Sequence, residues 1–366
     1  VHTSPHLVRW HERFRLAGAL VDDDRLTDAI KRVAAANEGE HITVFELLTA
    51  VMFVLFAETP ADVAIIEVGL GGRADATNII PEPAATVIMP IGLDHEAFLG
   101  NSIEKIATEK GGIIKRGVAL IIGAQPHNEA RDVLEDMACR LRAPVQIYGQ
   151  DFHAFEEHGR MVFQNETGLS DIALPALAGR HQYANAAAAI MAVNAAGYFL
   201  TDSEIEKGVT TASWPARMQK LAGGPLVDLA PEGSEIWLDG GHNPDAAVAC
   251  AEHLAALGET TDRPIFMIAG MLDTKDAIGY FRPFDGLVRH VFTVPVPASE
   301  AGVEPALLSA QAIEAGLSAE PVASVQNALC LLGDDWNRLE TSPRILIGGS
   351  LYLAGDVLRD NHSLPD

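Results

Sequence analysis

Cysteine, positive charge and long apolar runs are all scarce in this chain. Its three cysteines, Cys139, Cys250 and Cys330, lie far apart with no CxxC or CxxH spacing. That excludes a disulfide framework and a thiolate zinc site, and isolated thiols of this kind are expected in the core. Lys and Arg number 26 against 50 Asp and Glu, a formal charge of −24. No nucleic acid or anionic membrane is therefore expected as a partner, since both need clustered cations. Any phosphate site must be local. The most apolar long segment, residues 42–57, contains Glu46 and is shorter than the ~20 residues of a membrane span. The polar N-terminus lacks the apolar region of a secretory signal, and a cytoplasmic protein is expected. Internal repeats, low-complexity tracts and the phosphate loop GxxxxGK(S/T) are absent as well.

What is present is a core of two domains' size: 366 residues, 48% of them hydrophobic. Apolar runs at 62–68, 85–91, 118–123 and 144–148 read as strands, and residues 24–36, 43–57, 101–110 and 126–141 as helices. This alternation is the signature of a parallel α/β sheet. A hairpin turning at His158-Gly159 is expected over 152–164, then an Ala-rich helix over 181–197. A second alternation follows Pro215-Ala216-Arg217, with strands near 234–239, 264–270, 289–294 and 343–348 and helices near 243–257, 303–315, 325–333 and 351–358. The Pro- and Gly-containing stretch 214–224 is the expected boundary, giving domains 1–217 and 218–366.

Polar clusters recur where strands end. The run Val63–Ile66 reads as a buried strand delivering Glu67 to its carboxyl end, followed by Gly69, Gly71 and Gly72 and then Arg73, Ala74, Asp75, Ala76, Thr77 and Asn78. Ligands bind at that edge of open α/β sheets, so the pattern suits a metal and an anionic substrate, or simply a solvated turn. Leu93-Asp94-His95 adds an imidazole, which with Glu67 makes a plausible hard-cation pair or a structural histidine. Thr3-Ser4-Pro5-His6 offers a hydroxyl, or a plain N-terminal turn. Lys110, near a helix end, either complements the dipole or, carbamylated, supplies oxygen ligands. Gly179 to Asn185 opens a helix and either binds an anion or caps. Asp239, within Leu238-Asp239-Gly240-Gly241-His242-Asn243-Pro244, is placed to accept a ribose hydroxyl. Gly270–Asp276 and Gly348-Gly349-Ser350 repeat that layout.

In order, TSPH, Thr43-Val44-Phe45-Glu46, EVGLGGRADATN, LDH, EKGGI, GRHQYAN, PARMQ, LDGGHNP, GMLDTKD and GGSLYLAG resemble the folylpolyglutamate synthase/dihydrofolate synthase family of Mur ligases over essentially the whole chain. The resemblance implies a Mur-ligase-like, P-loop-type central domain, its phosphate loop preceding Val1, joined to a Rossmann-like C-terminal α/β domain. It implies an ATP-dependent carboxylate–amine ligase that joins L-glutamate to dihydropteroate or a folate through an acyl phosphate, with Mg²⁺ as cofactor and a monomeric state. By position, Ser4, Glu67 and His95 would hold magnesium and Lys110 would be the carbamylated lysine. Thr43, Val44, Phe45, Glu46, Ala74, Asp75 and Ala76 would contact the pterin. Asn185, Arg217 and Asp239 would contact ATP, with His242 near the phosphates. Two other readings stand beside it: another Mur-type amino-acid ligase acting on a nucleotide sugar, and a non-catalytic folate-binding fragment.

Overall fold

The computed structural model of the chain describes residues 1–336 and 341–365. They fall into two compact units. One comprises Val1–Gln150, Met191–Tyr198 and Pro365; the other comprises Asp151–Ile190 and Phe199–Leu364. The division passes through the Ala-rich helix His181–Ala195, whereas the expected boundary at 217/218 lies inside the second unit.

In the first unit, strands Ala85–Ile88, Ala119–Ile122 and Val145–Ile147 form a three-stranded parallel sheet. Ile88, Leu120, Ile122 and Ile147 pack there against helices Ile103–Gly111 and Asn128–Leu141. A second core forms under helices Asp23–Ala36 and Val44–Ala57, around Phe14, Leu26, Val51, Met52 and Leu55. The run at 62–68 is not the buried strand expected of it. Among the described residues its only β-pairing is an isolated bridge between Ile66 and His2, so no ladder covers its two faces. Ile66 packs on the core while Val63 and Ile65 stay 51% and 60% exposed.

The second unit holds a six-stranded sheet in the order Ala319–Pro321, Val288–Thr293, Ile265–Ala269, Arg344–Gly348, Glu235–Leu238, Gln219–Leu221. All neighbours are parallel except the edge strand Gln219–Leu221. The central strands IFMIA and RILIG are buried at every position, as unbroken apolar runs must be when helices cover both faces. Arg344, 1% exposed, pairs with Glu235 at 2.9 Å where two central strands begin. The opposite, carboxyl edge is left to loops and helix starts. This unit also carries the antiparallel strands Phe152–Glu157, Arg160–Asn165 and Gly168–Ile172. As expected, their first turn is His158-Gly159, both residues at positive φ (52° and 75°), the geometry of a type I′ hairpin.

Cys250 is buried, but Cys139 and Cys330 are exposed, against the expectation for isolated thiols. Cys139 lies beside, not on, the Ala130–Leu134–Ala138 stripe that its helix buries.

Candidate active site

In the first unit the Glu67–Asn78 loop is built by contact with its neighbours. A Cβ on Gly112 would stand 2.3 Å from the Cα of Arg73, and one on Gly72 2.8 Å from the Lys110 carbonyl oxygen. Only bare backbone allows the loop to lie this close to the end of helix Ile103–Gly111. Arg73 then donates its N–H to the Glu109 carbonyl at 2.9 Å and its guanidinium to the Glu109 carboxylate at 2.7 Å. The ring of Phe45 lies so near Gly69 that a Cβ there would fall 2.2 Å from it. Phe45, of the segment 43–46 expected to contact a pterin, is thus packed on the loop that carries 74–76.

Several of those side chains are already engaged. Thr43 and Glu46 form a capping box at the start of Val44–Ala57: the Thr43 N–H and hydroxyl both donate to Glu46 Oε2 at 2.7 Å, and Thr43 accepts the Glu46 N–H at 3.2 Å. The carboxylate is held below its usual pKa by these bonds, chiefly the Thr43 N–H. Asp75 accepts the Leu70 N–H on one oxygen and the Thr77 N–H and hydroxyl on the other. It staples the loop. Val44 and Ala74 are exposed, and Phe45 and Ala76 partly so.

Of the expected metal ligands, Ser4 and Glu67 meet: the Ser4 N–H donates to Glu67 Oε2 at 2.7 Å. Ser4 Oγ is buried without a hydrogen-bond partner, a state that costs free energy unless something takes its lone pairs. An orphaned hydroxyl beside a carboxylate fits a hard cation with oxygen ligands. His95, at φ 54°, starts the short helix Glu96–Leu99 and donates its N–H to Asp94 Oδ1 at 2.7 Å; its ring is half exposed. Among the described residues no three His, Cys, Asp or Glu side chains form a metal-sized cluster. Lys110 is largely buried. Burial lowers its pKa, against the pull of Asp94, so the sequence motif's unassigned Asp94 is the charge that lysine faces.

In the second unit the candidates share one centre, Asp239. It stands at the end of Glu235–Leu238, 6% exposed. One carboxylate oxygen accepts the Met218 N–H at 2.8 Å and the other the Gly241 N–H at 2.7 Å. The Cys250 thiol lies against it and is pushed well up in pKa by burial and by that charge. The carboxylate expected to accept a ribose hydroxyl thus already holds two loops. One carries exposed Arg217, between Ala216 and Met218 at positive φ (54° and 42°). It is braced by Gly240 N–H to Ala216 carbonyl at 2.8 Å and by Ala216 N–H to Gln219 Oε1 at 2.9 Å. The other carries His242, whose Nδ1 meets the Gly240 carbonyl at 3.2 Å. A carbonyl only accepts, so Nδ1 bears the proton in that contact.

His242 precedes helix Pro244–Thr260, capped by Asn243; at the neighbouring strand Ser350 caps Leu351–Asp360. Two helix N-termini at adjoining strand ends favour an anion. Asn185 donates to Gln182 Oε1 at 3.0 Å, and Gln182 in turn contacts His181 Nε2 at 2.9 Å. Burial lowers the His181 pKa, with Asp239 opposing and Arg217 assisting. Sequence reasoning assigned no role to His2, Asp94 or Gln219, and left Gln182 between anion or base-edge binding and capping. GRHQYAN and PARMQ contained the two glutamines, and their adjacency to assigned residues was the available signal.

Residues 23–193 match the Mur ligase middle domain family, a span that runs through 151–190 and so crosses the division between the compact units. The chain is 32% identical to the folylpolyglutamate synthase of Lacticaseibacillus casei over 98% of its own length and 82% of that protein. It superposes on the Escherichia coli FolC structure in complex with DHPP and ADP with a TM-score of 0.85, at 28% identity, covering 98% of this chain and 80% of that one. It also superposes on the bifunctional folylpolyglutamate synthase/dihydrofolate synthase of Yersinia pestis complexed with AMPPNP and Mn ion, with a TM-score of 0.84, at 27% identity, covering 99% and 81%. The expected architecture, Mur-ligase-like followed by a C-terminal α/β domain, agrees with these structures. The chain belongs to the folylpolyglutamate synthase/dihydrofolate synthase family.

Proposed function

We propose that this ATP-dependent ligase couples L-glutamate to dihydropteroate, to reduced folates or to both, using magnesium, and works as a cytoplasmic monomer. The observation that carries the reading is the Ser4–Glu67 contact beside the orphaned Ser4 hydroxyl, with a relative's structure holding AMPPNP and Mn ion. Ser4, Glu67 and His95 would hold the cation, which when bound neutralises charge on the phosphoryl group being transferred. Arg217 and Asn185 contact the nucleotide, Asp239 sets the loops around it, and His242 sits by the phosphates at a helix start. The substrate carboxylate oxygen attacks the γ-phosphorus and ADP leaves. The glutamate amine then attacks the acyl carbon, loses a proton and expels phosphate. Burial of Lys110 favours its neutral amine, the form that adds CO₂ to become a carbamate. Val44, Phe45, Ala74 and Ala76 offer the pterin its apolar wall. Among the described residues no helix is long and apolar enough to cross a membrane.

The test measures ADP release by the full-length protein with dihydropteroate, tetrahydrofolate and a nucleotide-sugar carboxylate, each with glutamate. Pteridine-dependent release is expected with magnesium. Glu67→Ala should lower kcat/KM by roughly 100-fold or more, the scale on which loss of one charge-stabilising group acts. Release driven by the nucleotide sugar instead, or full activity in Glu67→Ala, would overturn the reading.

A further inference from the structure

His2 is fully buried although its neighbour Val1 is exposed. Its main chain is tied on both sides to the Glu67 segment: its N–H donates to the Ile65 carbonyl at 2.8 Å and its carbonyl accepts the Glu67 N–H at 3.0 Å. Two residues later Ser4 reaches the Glu67 carboxylate. The imidazole is fixed separately. Its Nδ1 lies 2.9 Å from the Arg13 carbonyl, which also accepts the Thr3 N–H at 3.2 Å. The ring packs on Phe14 with centroids 5.7 Å apart, and Phe14 is itself in the core under helices Asp23–Ala36 and Val44–Ala57.

An imidazole is a poor choice for this place on stability grounds. Its Nε2 is buried with no partner, a desolvation cost that an apolar ring avoids. What it offers instead is the Nδ1–H bond to Arg13, which fixes ring and backbone together. We propose that His2 is a positioning residue for the cation site: by locking residues 2–4 to the Phe14 core through Arg13, it sets the spacing of Ser4 and Glu67. The proposal rests on the reading of those two residues as metal ligands. His2 touches neither metal nor substrate.

Mn²⁺ titration of the full-length protein, followed by the electron paramagnetic resonance of free Mn²⁺ without turnover, tests it. His2→Phe keeps the ring on Phe14 and loses the Arg13 bond, and should weaken Mn²⁺ binding about tenfold or more, as removal of a ligand-orienting group does. His2→Asn restores a donor toward the Arg13 carbonyl and should bind within about threefold of the parent, an effect below that range. If both variants bind as the parent does while Glu67→Gln loses the ion, the positioning role is wrong and the metal reading stands. If Glu67→Gln also binds normally, the metal reading fails and takes the proposal with it. Equal weakening in Phe and Asn would overturn the role given to the Arg13 bond. His2→Asn carries the test should His2→Phe not fold.

Discussion

The two units hold their candidate residues by different means. In the second, a single buried carboxylate, Asp239, accepts main-chain N–H groups from both loops that carry Arg217 and His242. Those loops spring from adjacent strands of one sheet, and their geometry is settled before any ligand arrives. In the first, Glu67 is exposed and His95 half exposed, and the loop between Glu67 and Asn78 keeps its place through glycine contacts and hydrogen bonds. The difference fits the roles proposed for the two sets. A divalent cation draws exposed side-chain ligands in by its own charge once the backbone spacing between them is set. A nucleotide's phosphates also attract a guanidinium, but the alignment of the reacting groups depends on where the backbone holds it, and that is set beforehand.

The largest effect should come from Asp239→Ala. It leaves the Met218 and Gly241 N–H groups buried without acceptors, a loss of about 3–5 kcal/mol in denaturant unfolding of the second unit. Exposed Glu67→Ala should cost no more than about 0.5 kcal/mol in the same measurement, as surface changes do, although it removes activity. Similar losses in the two variants would erase the contrast between a pre-set and a ligand-gathered arrangement.

Gly112→Ala probes the first unit's own device. The added methyl meets Arg73 backbone at 2.3 Å, so the loop must part from helix Ile103–Gly111, at about 1–3 kcal/mol for overpacking. The control is Gly208→Ala, within helix Asp202–Thr211, where a Cβ meets nothing within 4 Å. It should stabilise by about 0.4–1 kcal/mol. Thermal melts of both variants decide the point, and a neutral Gly112→Ala would show that the loop is not held by that approach.

The central strands of the second unit were legible because burial on both faces writes itself as an unbroken apolar run, as in Ile265–Ala269. The same signal misleads at 62–68, where β-pairing among the described residues is limited to the bridge with His2 and five of the seven residues are exposed. Helix Asp202–Thr211 buries only Ile205, too little for periodicity, yet Thr201 and Glu204 spell its capping box. Candidate residues were visible by type and position. Their partners were not: a strand-end aspartate looks alike in sequence whether it faces a ribose or, as Asp239 does, two buried N–H groups. Long-range pairing decides that, and no local pattern encodes it.

The smallest expected effect separates capping from recognition. Thr43–Glu46 and Thr201–Glu204 are the same device, one in each unit: the Thr N–H donates to the Glu carboxylate at 2.7 and 2.8 Å, and the Thr hydroxyl at 2.7 Å in both. Alanine at either threonine should cost about 1 kcal/mol of stability through the lost cap. Only Thr43 belongs to the segment brought against Gly69 and the loop carrying Ala74 and Ala76. Thr43→Ala should therefore also raise the KM for the pteridine substrate several-fold, the worth of about one hydrogen bond, while Thr201→Ala leaves every KM unchanged. Serine at position 43 keeps the hydroxyl and should restore both quantities. If Thr43→Ala loses stability alone, the first unit's cap is as purely structural as the second's, and the pterin wall contracts to Val44, Phe45 and the loop alanines.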